Sequence, residues 1–276
     1  MVTTPFLQQP SKDYPETIDN QAVLKELATV QERLSTEEAS EYLAPIDSRV
    51  SLQQLEVERD TLATLITSVG SASIIVGLTT FSVALLGLLL AWKSTTRLEK
   101  VARITILITA ILEEFESLGV ETLPFLKVPG YQPIDLFVRF PGKEFLLFAV
   151  RSFGESKIVY NESKQALYYK RVKNGLKKWQ PDPLTELSEQ AYWLRKNKRE
   201  LFGNSKGVRK PMAKVLVIWG KTQLDEHQEH LYAPLGDQKF LFISREGGAC
   251  YVIHQNQICD FVRAWLVHRQ SQEKPA

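Results

Sequence analysis

The sequence predicts an α/β domain built around a mixed sheet flanked by helices, preceded by a single transmembrane helix and a short N-terminal helical region. Three observations carry this prediction. No charged residue occurs from Thr61 to Trp92. Beyond that run, apolar stretches of strand length alternate with stretches whose apolar residues recur every three or four positions, the signatures of strand and helix. Two of the strand-like stretches flank the pair Pro141 and Gly142, as a turn between neighbouring strands requires.

Taken in chain order, residues 1–20 hold Pro5, Pro10 and Pro15 with little apolar periodicity, and read as an arm. Residues 20–39 and 47–68 read as helices. Residues 69–92, VGSASIIVGLTTFSVALLGLLLAW, are long enough for a membrane span, since about 20 helical residues cross a hydrocarbon core of about 30 Å. This divides the chain into an acidic N-terminal region (1–68), a transmembrane helix (69–92) and a third region (93–276). Lys93, Arg97, Lys100 and Arg103 follow the run closely, whereas acids dominate the residues before it. The positive-inside rule then predicts a single-pass integral membrane protein with its C-terminal domain in the cytoplasm.

In that domain, VARITILITAILEEFESLG reads as an amphipathic helix closed by Gly119. Strand-like runs follow: ETLPFLKV, IDLFVRF and EFLLFAVRSF. A helix is expected from about Pro183 to Phe202, then the strand AKVLVIWG. Next comes a hairpin of KFLFIS and ACYVIH, with Gly247 and Gly248 at its turn. The last helix, QICDFVRAWLVHR, places Ile258, Phe261, Val262, Trp265 and Leu266 on one face.

Several chemistries are excluded or weakened. Cys250 and Cys259 are the two cysteines, and no CxxC pair exists to hold structural zinc. No glycine-rich phosphate loop, Ser/His/Asp pattern or dinucleotide fingerprint occurs. The stretch DEHQEH, with His227 and His230, offers no third metal ligand and reads as a polar loop.

The order Ile134-Asp135, strand, Pro141-Gly142, strand Phe145 to Val150, loop RSFGE, helix DPLTELSEQAYWLR, strand AKVLVIWG resembles the nuclease-related domain (NERD) family of the PD-(D/E)xK superfamily. The resemblance covers residues 105–266 and implies a restriction-endonuclease-like mixed sheet. It also implies a site in which two carboxylates hold Mg²⁺ to activate water and a lysine steadies the developing charge. Asp135 matches the first carboxylate and Gln190 the helix glutamine. Ala149 and Arg151 fall on the E-x-K positions. An alanine has no oxygen for a metal, and a guanidinium stays protonated. The resemblance therefore implies a degenerate site, with no catalytic residues, no metal and no cofactor, Mg²⁺ entering only for an active nuclease using Asp135 with Glu144 or Glu114.

Charge is unevenly distributed. Residues 1–68 carry a net −7 and residues 157–214 a net +10. The basic segment interleaves Lys164, Lys170, Arg171, Lys173, Lys177 and Lys178 with tyrosines and tryptophan, a composition suited to nucleic acid or to anionic headgroups. Together with Arg151 these are the expected anion-binding residues. The expected function is a membrane-anchored binding module that engages nucleic acid or a protein partner. An active nuclease and a structural subunit of a membrane complex are the alternatives.

Overall fold

The computed structural model describes residues 46–273, apart from 78–80, 172–173, 204 and 246–247. The arm and the helix expected over 20–39 lie outside the described residues. Helices α1 (Ser48–Gly77) and α2 (Phe81–Phe115) open the described chain. A 3₁₀ turn at Glu116–Leu118 ends on Gly119, whose φ of 70° is left-handed, the backbone state glycine adopts most cheaply.

Strands β1 (Glu121–Leu126), β2 (Ile134–Phe140) and β3 (Glu144–Arg151) form an antiparallel meander. The β2–β3 turn places its left-handed residue at Lys143, with φ of 60° and its N–H donating to the Phe140 carbonyl at 3.0 Å. Strand β7 (Met212–Ile218) then lies parallel to β3, and β11 (Gly248–His254) parallel to β7. Strands β10 (Gln238–Arg245) and β9 (Tyr232–Leu235) complete a seven-stranded mixed sheet of order β1-β2-β3-β7-β11-β10-β9.

Both faces of the sheet are covered, which is why β2 is buried along its whole length and reads as a continuous apolar run broken only by Asp135 and Arg139. On one face, Leu136, Val138, Phe148 and Val217 pack with Ile104, Ile108 and Phe115 of α2. Phe261 and Trp265 of the last helix, here α4 (Ile258–Glu273), join the same cluster. On the other, Phe137, Phe145, Leu147 and Leu216 pack with Leu184, Leu187 and Leu194 of α3 (Pro183–Asn197). Each fully buried side chain of this size contributes about 1.5–3 kcal/mol. Asp182 caps α3 by accepting from Leu184 N–H at 3.0 Å, with Pro183 at the first helical position. The helix expected to reach Phe202 stops at Asn197, and a 3₁₀ turn over Arg199–Leu201 follows.

A second, four-stranded sheet was not foreseen. It has the order β6-β5-β4-β8, made of β4 (Ser156–Asn161), β5 (Ala166–Arg171), β6 (Asn174–Lys178) and β8 (Gln223–Leu224). Its inner face, with Ile158, Tyr160 and Leu167, packs into the same cluster as α3. Along β5, Tyr168 and Lys170 share one face of the strand and Tyr169 and Arg171 the other.

The expected single helix over 69–92 is replaced by a different arrangement. Helix α1 carries the first part of the run to Gly77 and α2 takes it up at Phe81. Among the described residues no helix is long and apolar enough to cross a membrane. The two helices run antiparallel: Arg49 Nε donates to Glu116 at 2.8 Å, and Arg97 Nε to Glu58 at 2.7 Å. Leu55 packs with Val101 and Ile104 in the shared core, and Ser48 Oγ accepts from Thr122 N–H at 2.8 Å. These contacts, which one straight helix does not offer, place both flanks of the apolar run side by side. Ser48, Arg49, Leu55 and Glu58 of α1 are thereby held against α2, the 3₁₀ turn that follows it and the start of β1.

Candidate functional site

Asp135 sits where the β2–β3 ladder ends. Paired register runs from Phe140–Glu144 to Leu136–Phe148, and the next available N–H, of Val150, donates to Asp135 Oδ2 at 2.8 Å. The carboxylate thus replaces a backbone acceptor and is drawn under the sheet, 1% exposed. Arg151, at the end of β3, donates to the same oxygen, and its Nη2 donates to Glu186 Oε2 at 3.0 Å. Lys100 of α2 brings its Nζ to 2.6 Å from Asp135 Oδ1, an ion pair by distance although its angle is not that of a hydrogen bond.

Two carboxylates and two cations therefore close on one another. Burial alone would lower the Arg151 pKa, but the Asp135 and Glu186 carboxylates outweigh it and hold the guanidinium above its ordinary value. Charges this poorly hydrated persist only when paired. Arg151 occupies the space between the carboxylates that a divalent ion would need.

The other expected site residues do not complete a metal centre. Ala149 is buried in the cluster beneath α3, contributing a methyl group. Gln190 donates to the Gln132 carbonyl at 2.8 Å and takes no part in the ion network. Glu144 lies at the far end of β3, 3.1 Å from Arg269 Nε and 4.0 Å from Lys210 Nζ, and Glu114 pairs with Arg263. Neither is placed with Asp135. Among the described residues, no group of three or more His, Cys, Asp or Glu side chains is arranged to hold a metal ion. The shallow cleft of about 550 Å³ beside the network is lined by Asp182, Glu186 and Glu189 together with Tyr131 and Gln132, an acidic mouth that opposes a phosphodiester backbone.

The basic residues are sorted by the small sheet. Lys170 of β5 stands opposite Lys157 on one side and Leu176 on the other, and Tyr168 stands opposite Val159 and Lys178. These residues form one face. Lys157, Lys170, Leu176 and Lys178 are exposed, and Lys164 Nζ lies 5.9 Å from the Tyr168 ring centre. Lys177 and Arg171 pair with Tyr169 and Ser156 and so point to the opposite face. There Tyr169 stacks on Phe153 at 4.7 Å, and Phe153 meets Trp179 edge-on at 4.6 Å. Lys173 lies outside the described residues. Arg151, engaged by Asp135 and Glu186, is not part of this surface.

The histidines serve locally. His227 Nε2 accepts from Tyr160 N–H at 2.9 Å, and burial pushes its imidazole below the ordinary histidine range. His230 contacts Glu162 at 2.9 Å. Cys250 is buried, and burial first, then Glu114, pushes the Cys259 thiol up to about 12, so neither is a poised thiolate.

Sequence reasoning missed Glu186, Lys100 and Lys157. Glu186 had a signal: it lies four residues before Gln190 on the helix opened by Asp182-Pro183, and so projects from nearly the same face. Lys100 had none, because its role depends on α2 crossing the sheet beside β2.

No family model, curated protein or solved structure matches this chain.

Proposed function

We propose that the chain is a nuclease-related, restriction-endonuclease-like domain whose catalyst has been lost. In this reading it binds single-stranded nucleic acid through the outer face of the four-stranded sheet while attached to a bilayer through residues 61–92. Support for the loss of catalysis comes from Arg151, whose guanidinium neutralises Asp135 and Glu186 where hydrolysis would need a metal.

The binding reading rests on one observation, the direct opposition of Lys157 and Lys170 across β4 and β5. Like charges facing each other across strands destabilise a sheet, with Cβ atoms about 4.5–5.5 Å apart. Asp225, 3.5 Å from Lys157, offsets part of this. A phosphate would offset the rest, and the neighbouring Tyr168 offers a ring on which a base can stack. Phosphate backbone and unpaired base together describe a single strand more closely than an acidic protein surface.

Fluorescence anisotropy with a labelled single-stranded oligonucleotide tests the reading. Affinity should fall steeply with salt and should collapse in Lys157→Glu/Lys170→Glu. Affinity unchanged in that variant would end it. Magnesium-dependent cleavage of DNA or RNA that vanishes in Asp135→Ala would instead establish the active nuclease.

A further inference from the structure

We propose that two helix arms, residues 61–77 of α1 and 81–92 of α2, enter a lipid bilayer from the same face, so that both ends of the chain stay on the same side of the membrane. The proposal rests on the membrane attachment proposed above and replaces the single crossing with entry from one face.

The geometry of the ends carries it. Glu58 and Arg97 bracket the charge-free run and are joined at 2.7 and 3.1 Å through two guanidinium nitrogens, Nε and Nη2. Further from the run on both helices, Arg49 meets Glu116, and Ser48 is bonded to the first strand of the sheet. A chain that entered a bilayer at residue 61 and left on the opposite side at residue 92 would have to break all of these contacts. It would also have to separate Leu55 from Val101 and Ile104.

Length agrees. Over the charge-free run the arms, residues 61–77 of α1 and 81–92 of α2, are about 26 and 18 Å long at about 1.5 Å per residue. Each taken alone is short of the ~30 Å hydrocarbon core. Nearer the base of the first arm, the hydroxyls of Thr61, Thr64 and Thr67 donate to carbonyls four residues back, at 2.7, 2.9 and 2.9 Å. Those groups therefore need no water. Trp92 is 75% exposed where the second arm meets Lys93, an amphipathic ring beside a cation, as suits the headgroup boundary.

The test uses the full chain, synthesised in the presence of vesicles of phosphatidylcholine and phosphatidylglycerol. Ser11→Cys and Ser271→Cys are introduced separately in a Cys259→Ser background and treated with a membrane-impermeant maleimide. The expected result is flotation that survives alkaline carbonate, with both cysteines labelled fully before detergent is added. Protection of either cysteine until detergent is added overturns the same-face entry while leaving membrane attachment standing. Failure to float overturns both. Leu88→Asp should lower partition onto the vesicles by about a hundredfold while the circular dichroism of the domain is retained, and unchanged partition would also overturn the proposal.

Discussion

Arg151 Nη2 stands 3.0 Å from Glu186 Oε2 while its other terminal nitrogen donates to Asp135. A side chain from the last residue of β3 thus bridges a strand carboxylate and a helix carboxylate. The bridge is internal to the chain, so the site is satisfied without any ligand.

Arg151→Met should destabilise the protein by about 3–5 kcal/mol, because it leaves Asp135 and Glu186 buried with Lys100 as the one remaining cation of the network. Chemical denaturation measures the loss. Adding Glu186→Gln to that variant should recover part of it, whereas additive losses would show that the two residues are not coupled.

Divalent ions should leave the melting temperature of the wild-type protein unchanged at millimolar concentration. In Arg151→Ser the two carboxylates no longer share a guanidinium, and Mn²⁺ should stabilise that variant by about 1.4 kcal/mol at tenfold excess over its dissociation constant. Equal responses of the two proteins to Mn²⁺ would contradict the role given to Arg151.

On the small sheet, stability and affinity should move in opposite directions. Lys170→Gln removes the like-charge opposition to Lys157 and should stabilise the free protein by about 0.2–1 kcal/mol. The same change should weaken oligonucleotide binding and make the salt slope shallower by about 0.7, the share of a single phosphate. Tyr168→Ala should cost about 1–3 kcal/mol of binding if a base stacks there. Thermal melts and salt-dependent titrations on the same preparations read both quantities.

Acid should loosen the β4 edge. His227 is neutral when it accepts from Tyr160 N–H, and burial holds its pKa below the ordinary value of 6.5. The unfolded chain therefore takes up the proton first as pH falls. The stability linked to this residue is complete above about pH 6.5 and declines below it, until the folded form is protonated as well. His227→Ala should be less stable at neutral pH and should flatten this part of the stability–pH profile.

Gly119→Ala should cost about 1–2 kcal/mol. A Cβ there would stand 3.0 Å from Pro141 Cγ, on a residue with φ of 70°, and the left-handed conformation alone penalises a side chain by about that amount. Comparison with an alanine substitution at an ordinary turn residue isolates the conformational part.

Much of the large sheet was legible from local pattern. Continuous apolar runs such as IDLFVRF and AKVLVIWG marked strands covered on both faces, and the three-to-four spacing of Phe261, Val262, Trp265 and Leu266 marked the last helix. The small sheet escaped because the run Tyr168-Tyr169-Lys170-Arg171 of β5 lacks a period-two apolar alternation and resembles a solvated patch unless the partner strands are known. That Asp135 stands on β2 and an alanine at position 149 of β3 was evident, since each depends on the identity of one residue at one strand position. Which side chains surround Asp135 was not evident.

The sequence by itself determined the central strands of the large sheet and the last helix, that a long charge-free run precedes them, and that no second carboxylate stands beside Arg151 on β3. Those properties are local, set by side-chain periodicity and residue type. Only the tertiary structure decided that Glu186 and Lys100 converge on Asp135 and Arg151, that Lys157 faces Lys170, and that Glu58 meets Arg97. The physical reason is that ion pairing acts over a few ångströms of space regardless of separation along the chain. Residues far apart in sequence become partners only after apolar burial has packed the helices and strands that carry them.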